Sequence, residues 1–253
     1  MKKIILGTVF AVSLFSHAAF AGLEEGKRYF ENKEWPKAIA ELSPLADAGD
    51  EQAMMMMATI YLDGLGVQKN SLKALEYYKR AAMEKNNLDA MVAIGAAYQS
   101  GKLNVEKNPK IANAWFARAA EMGDPTGAFF FAITLFQGDL TQKTDFVRNP
   151  VAAYKWFLIT SYNQTNRRFA NAGREMAQMA RGRLTFEQIN LAQKEAKEWR
   201  PKTAKDFDSF PLMPMPEISL PDMPAAGDKK PADGAAKPAP AAQKPAADAT
   251  PKK

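Results

Sequence analysis

Histidine and cysteine do much of the acid–base, nucleophilic and metal chemistry that proteins perform near neutral pH. This 253-residue chain has one histidine and no cysteine. His17 lies in the opening stretch MKKIILGTVFAVSLFSHAAFA. Its basic start (Lys2, Lys3), apolar run from Ile4 to Phe15 and small-x-small end Ala19-Phe20-Ala21 read as a cleavable secretory signal. A cut after Ala21 leaves a mature chain beginning at Gly22 with neither residue type. That removes histidine general bases, thiol nucleophiles and ordinary zinc sites together. The absence of cysteine excludes a lipid anchor on that residue, and disulfides as the source of stability.

Other reactive constellations fare no better. There is no Ser-x-x-Lys, no Gly-x-Ser-x-Gly and no phosphate-cradling glycine loop. Glu24 and Glu25 are adjacent, and neighbours on a helix point about 100° apart, so they do not flank one scissile bond. Met54 to Met57 form a run of four thioethers, a soft donor set that suits copper(I). On a helix only Met54 and Met57 share a face, which favours core packing over a metal site. The expectation is therefore a protein that is not an enzyme and holds no cofactor or metal. Formal charge falls from +6 to +4 once Lys2 and Lys3 leave, too mild to imply a nucleic-acid partner. The charge is nonetheless organised. Arg167, Arg174 and Arg181 recur every seven residues on one helical stripe, with Arg168 and Arg183 beside it.

The elements that position these residues come in copies. Ala53, Met57, Ala58, Tyr61 and Gly64 recur 37 residues later as Ala90, Ile94, Gly95, Tyr98 and Gly101, and again as Gly127, Phe131, Ala132, Leu135 and Gly138. Second halves also align: Asn70, Ala74, Tyr77, Tyr78 and Ala81 with Asn108, Ala112, Trp115, Phe116 and Ala119, then with Asn149, Ala153, Trp156, Phe157 and Thr160. Insertions such as DLTQKTDFVR before Asn149 absorb the drift. Each copy reads as a helical hairpin with apolar residues on one 3.6-period face. Ala58, Gly95 and Ala132 let a neighbouring helix approach. Gly64, Gly101 and Gly138 are placed for left-handed caps. Asn108-Pro109, Asn149-Pro150 and Asp124-Pro125 open helices with a capping side chain before a proline. Thr185-x-x-Gln188 is a capping box. One hairpin cannot bury its own apolar faces, so the chain repeats it and stacks the copies.

These residues resemble the Sel1-like repeat family, a relative of the tetratricopeptide repeats, whose pattern is Ala-x3-Leu-Gly-x2-Tyr-x2-Gly, a loop, then Ala-x2-Trp/Tyr-aromatic-x2-Ala-Ala. The second unit fits best, through Ala90, Ile94, Gly95, Tyr98, Gly101, Ala112, Trp115, Phe116, Ala119 and Ala120. The first departs at Ala58, and the third at Gly127, Ala132 and Leu135. The resemblance implies an all-α solenoid of five stacked antiparallel hairpins. Residues 1–21 form the signal, 22–50 an N-terminal tetratricopeptide-like hairpin, 51–87, 88–124 and 125–164 three repeats, and 165–200 capping helices. Residues 201–253 form a disordered tail that carries eleven of the 16 prolines and no aromatic beyond Phe210.

In such a fold the first helices line the concave face. The residues there are Met55, Thr59 and Leu62, then Val92, Ala96 and Gln99, then Phe129, Ile133 and Phe136. This apolar lining suits a peptide or strand of a protein partner. The signal implies a periplasmic or secreted protein without an integral membrane segment once it is cut, and the family resemblance implies a scaffold or regulatory adaptor in the cell envelope. The alternative is a module for the cell wall, peptidoglycan or an acidic polysaccharide, bound by Arg167, Arg168, Arg174, Arg181, Arg183 and the Lys-rich tail. The segment FDSFPLMPMPEISLPDM, residues 207–223, is apolar enough to dock into the groove itself.

Overall fold

The computed structural model describes residues 21–138, 147–203 and 206. The signal-like residues 1–20, most of the insertion before Asn149 and the apolar tail segment 207–223 lie outside them.

Ten helices and no strand make up the described residues. They are α1 (21–31), α2 (Trp35–Asp47), α3 (Glu51–Asp63), α4 (Ser71–Glu84), α5 (Leu88–Ser100), α6 (Pro109–Glu121), α7 (Pro125–Gln137), α8 (Pro150–Ser161), α9 (Arg167–Arg181) and α10 (Phe186–Glu198). Starts are set by short polar side chains. Asp50, Asn70, Asn87, Asn108, Asp124, Asn149, Asn166 and Thr185 each accept the backbone N–H three residues on, so α3 to α10 all carry a side-chain N-cap. Each such cap contributes about 1 kcal/mol. At Thr185 the box is complete, because the Gln188 side chain accepts the Thr185 N–H in return.

The expected glycine stops hold at two sites. Gly64 and Gly101 both have φ 73° with left-handed ψ, a conformation that costs a side chain dearly. Gly138 differs: φ is 66° but ψ is −162°, so the chain leaves α7 extended instead of curling back.

Packing follows the repeat. Paired helices α3–α4, α5–α6 and α7–α8 form hairpins, and α6 against α7 and α4 against α5 join them in series. Trp115, Phe116 and Phe157 are the largest fully buried side chains, and Met54, Met57, Met91 and Ile94 are fully buried as well. Met54 and Met57 are buried while Met55 and Met56 retain exposure, as a helix face requires. Each large side chain that leaves water contributes on the order of 1.5–3 kcal/mol.

The fifth hairpin departs from expectation. α9 and α10 both lie against α8, and their contact with each other is minor. In the hairpins α3–α4, α5–α6 and α7–α8 the residue eight places after the first helix's N-cap is Ala58, Gly95 or Ala132. All three are buried. At Gly95 an added Cβ would lie 2.6 Å from the Phe116 ring of α6, so the two helices touch there. The same place in α9 holds Arg174, which is exposed. No second helix covers that place, and α10 lies against α8 instead.

The tail also begins later than composition suggested. The Lys202 N–H donates to the Glu121 carbonyl (2.7 Å), its ammonium pairs with the Glu121 carboxylate (3.0 Å), and Pro201 sits over Gly123. Residues 201 and 202 thus close over the end of α6.

Gly95→Ala should lower stability by about 1–3 kcal/mol, since the buried Phe116 ring has nowhere to yield. Chemical denaturation of the variant checks this. A stability equal to or above the parent, as helix propensity alone would give, would show that the close approach is absent.

Candidate functional site

The nine residues expected to line a binding face recur at one register, five, nine and twelve places after the N-caps of α3, α5 and α7. Ala96 is exposed, and Met55, Thr59, Leu62, Val92, Gln99, Phe129, Ile133 and Phe136 are partly exposed. Their buried neighbours Met54, Met57, Met91, Ile94, Ala128 and Ala132 point into the array. The Thr59 hydroxyl donates to the Met55 carbonyl (3.1 Å), so this hydroxyl is satisfied within its own helix.

The face is not uniform along its length. On α3 and α5 it is lined by aliphatic, small and polar side chains. On α7 it is aromatic and partly covered. Phe129 meets Phe130, Phe157 and Phe169 with ring centroids 5.7, 6.2 and 5.4 Å away. Phe136 packs edge-on to Phe157 at 6.2 Å, and the Arg183 guanidinium lies 4.7 Å from its ring centroid. That cation–π contact is worth about 0.5–1 kcal/mol at an exposed site. Phe129, Ile133 and Phe136 therefore also support the C-terminal core cluster.

All five arginines are exposed. Arg167, Arg174 and Arg181 share a stripe on α9, and Arg174 donates to the Asn171 side-chain oxygen (3.0 Å). Arg183 leaves the group and joins the apolar face through Phe136. Arg168 lies on the opposite flank of α9's open side, near Glu175, by helical geometry.

The sequence did not reveal a cleft of about 500 Å³ where the ends of α6, α8 and α10 meet the start of α7. Ala120, Ala128, Ile159 and Trp199 give it an apolar lining, and Asp124, Asn163, Lys197 and Arg200 ring it. Its residues come from four separate elements, so no local motif could have announced it. Asp124 is the group there with a displaced acidity. Burial raises its carboxyl pKa above the ordinary value, and nearby Asp89 adds to the rise, while backbone N–H groups of Gly127 and Thr126 oppose it. Among the described residues no cluster of His, Cys, Asp and Glu could hold a metal ion.

The Sel1 repeat family model matches residues 51–86, 88–124 and 136–161. The chain carries three Sel1 repeats. The Sel1 matches to the first two hairpins run nearly whole, whereas the third takes only the end of α7, its loop and α8. The start of α7 departs at Gly127 and is loaded with phenylalanine. Among solved structures, a Sel1 repeat protein from Oxalobacter formigenes is 26% identical with a TM-score of 0.52, over 59% of this chain and 60% of that one. A protective antigen present in uropathogenic Escherichia coli strains, displaying an SLR fold, is 24% identical with a TM-score of 0.55. That alignment covers 77% of this chain and 38% of the antigen, and it shows the fold alone. The Sel1-repeat chain thus spans 60% or less of the length of either structure. Among its described residues no helix is long and apolar enough to cross a membrane.

Two measurements probe this geometry. Met55→Glu should leave the melting transition within about 1 kcal/mol of the parent, and Met54→Glu, a fully buried neighbour, should cost several. Equal damage from both would place Met55 in the core. At Asp124 the folded-state pKa lies above the unfolded one, so its contribution is most favourable at acid pH and is lost as pH rises through the folded value. Asp124→Asn keeps a capping oxygen and removes the charge. It should match or exceed the parent's stability at pH 7 and lose that advantage at pH 3. A loss at pH 7 beyond about 1 kcal/mol would mean that the charge itself stabilises α7.

Proposed function

We propose that this protein is a non-enzymatic scaffold of the cell envelope that binds a partner protein or peptide on the first-helix face of its Sel1 repeats. Solenoids of this family generally mediate contacts between proteins. The observation that carries the assignment to this face is its exposure. Nine residues at one register keep access to solvent, although six of them are aliphatic or aromatic and their immediate neighbours are buried. An apolar row that the fold leaves open is where a partner gains most by covering it.

The open part runs over α3 and α5, through Met55, Leu62, Val92, Ala96 and Gln99. The aromatic end on α7 acts as a stop, closed by Phe169 and Arg183. Delivery to the envelope rests on the opening segment with Lys2, Lys3 and Ala19-Phe20-Ala21.

Capture from an envelope extract tests both parts. The parent chain and the double variant Met55→Glu/Val92→Glu are immobilised side by side and washed at about 0.5 M salt, where exposed ion pairs are screened. The reading requires a partner that the parent retains at that salt and the variant does not. Identical capture by both, or release of everything by salt, would contradict it. N-terminal sequencing of the fractionated protein should begin at Gly22.

A further inference from the structure

In each true hairpin of this array, the first helix offers two flanks. One faces the second helix of the hairpin before it: an added Cβ at Gly127 of α7 would lie 2.6 Å from Ala119 of α6. The other faces its own second helix, as Gly95 does Phe116. α9 keeps the first flank. Gly173 approaches the Phe157 carbonyl and Thr160 of α8, with Ala170, Ala177 and Ala180 buried beside it. Its second flank is open, because α10 has moved onto α8.

What occupies that flank is distinctive. Arg167, Arg174 and Arg181 stand one, eight and fifteen places after the N-cap Asn166. Seven residues of helix rise about 10.5 Å and return to within about 20° of the same direction. Asn171 and Gln178 lie alongside, both exposed. None of the three arginines makes an ion pair among the described residues, and the nearest carboxylate on the helix, Glu175, sits toward Arg168. No exposed aromatic side chain on α9 offers a sugar ring a stacking platform.

We propose that this flank is a second docking surface, which takes an acidic helix of a partner protein in the place that a hairpin's second helix fills elsewhere in the array. A helical occupant has the same rise per residue as α9. Carboxylates spaced seven residues apart on it meet all three guanidiniums at once, each able to form a two-pronged pair. A flexible polyanion has no such register. The arginine stripe lies on a helix other than α3, α5 and α7, and its occupancy does not depend on the apolar residues of those helices being used.

The test uses the full-length chain and a fluorescent designed helical peptide of about three heptads with Glu at heptad-spaced positions. Binding is followed by anisotropy at low salt. The peptide should bind saturably, and its Glu→Gln counterpart should bind at least roughly tenfold more weakly. The variant R167Q/R174Q/R181Q should lose the same factor with an unchanged melting curve. K102Q/K107Q, which removes two exposed positive charges far along the array, should not lose it. Four results would overturn the proposal: no saturable binding, an equal affinity for the Gln peptide, an equal loss in the lysine variant, or equal or tighter binding of a proline-broken peptide of the same charge. Tighter binding of a sulfated polysaccharide or of anionic vesicles would overturn it as well, by naming a different occupant.

Discussion

Everything in this array depends on how closely two helices of one hairpin can come together. The contact point is a single position, eight residues into the first helix, where Ala58, Gly95 and Ala132 have little or no side chain. There the second helix inserts an aromatic ring, seen most directly at Phe116 over Gly95. Because interiors are packed at crystal-like density, that contact is nearly all-or-none. A small residue gives a closed hairpin with a buried seam. At the same place α9 carries the exposed Arg174, and there α10 lies against α8 rather than against its own first helix.

The consequences run outward to both surfaces. Closed hairpins turn their remaining first-helix residues toward solvent in a regular row, which is the face assigned to a partner. The opened final pair leaves a basic flank on α9 and lets α10 seal the core beside α8, where Trp199 meets Trp156 edge-on at 5.4 Å. Arg183 links the two regions by capping Phe136. Stability and recognition are therefore divided by helix face: the small, aliphatic and aromatic residues of the core point inward, and the partly exposed first-helix row and the basic stripe of α9 point outward.

Much of this was legible in the chain itself. Recurrence at 37 residues, Asn and Asp before Pro, and the Thr185–Gln188 box report local backbone chemistry, and local chemistry is what a one-dimensional pattern carries. Three features were not legible. The extended exit at Gly138 is not announced by the glycine, which stands at the same place after its N-cap as Gly64 and Gly101. The splayed α9–α10 pair depends on whether a distant helix can reach Arg174, a question that α9's own amphipathicity does not address. The cleft beside Asp124 gathers residues from four elements, and only their assembly creates it. Phe129 and Phe136 illustrate the limit from the other side. Their register marks them as surface, while the coverage by Phe169 and Arg183 comes from residues more than thirty positions away.

Distances between paired spin labels reach this account at its root. Labels at Ala96 and Ala117 span the closed hairpin α5–α6, and labels at Gln178 and Asn190 span α9–α10. The first pair should show a short, narrow distribution and the second a distinctly longer one, with Arg174→Ala drawing the second pair closer. Equal distances in the two pairs, or a first pair as wide as the second, would contradict the claim that one small residue decides which helices close.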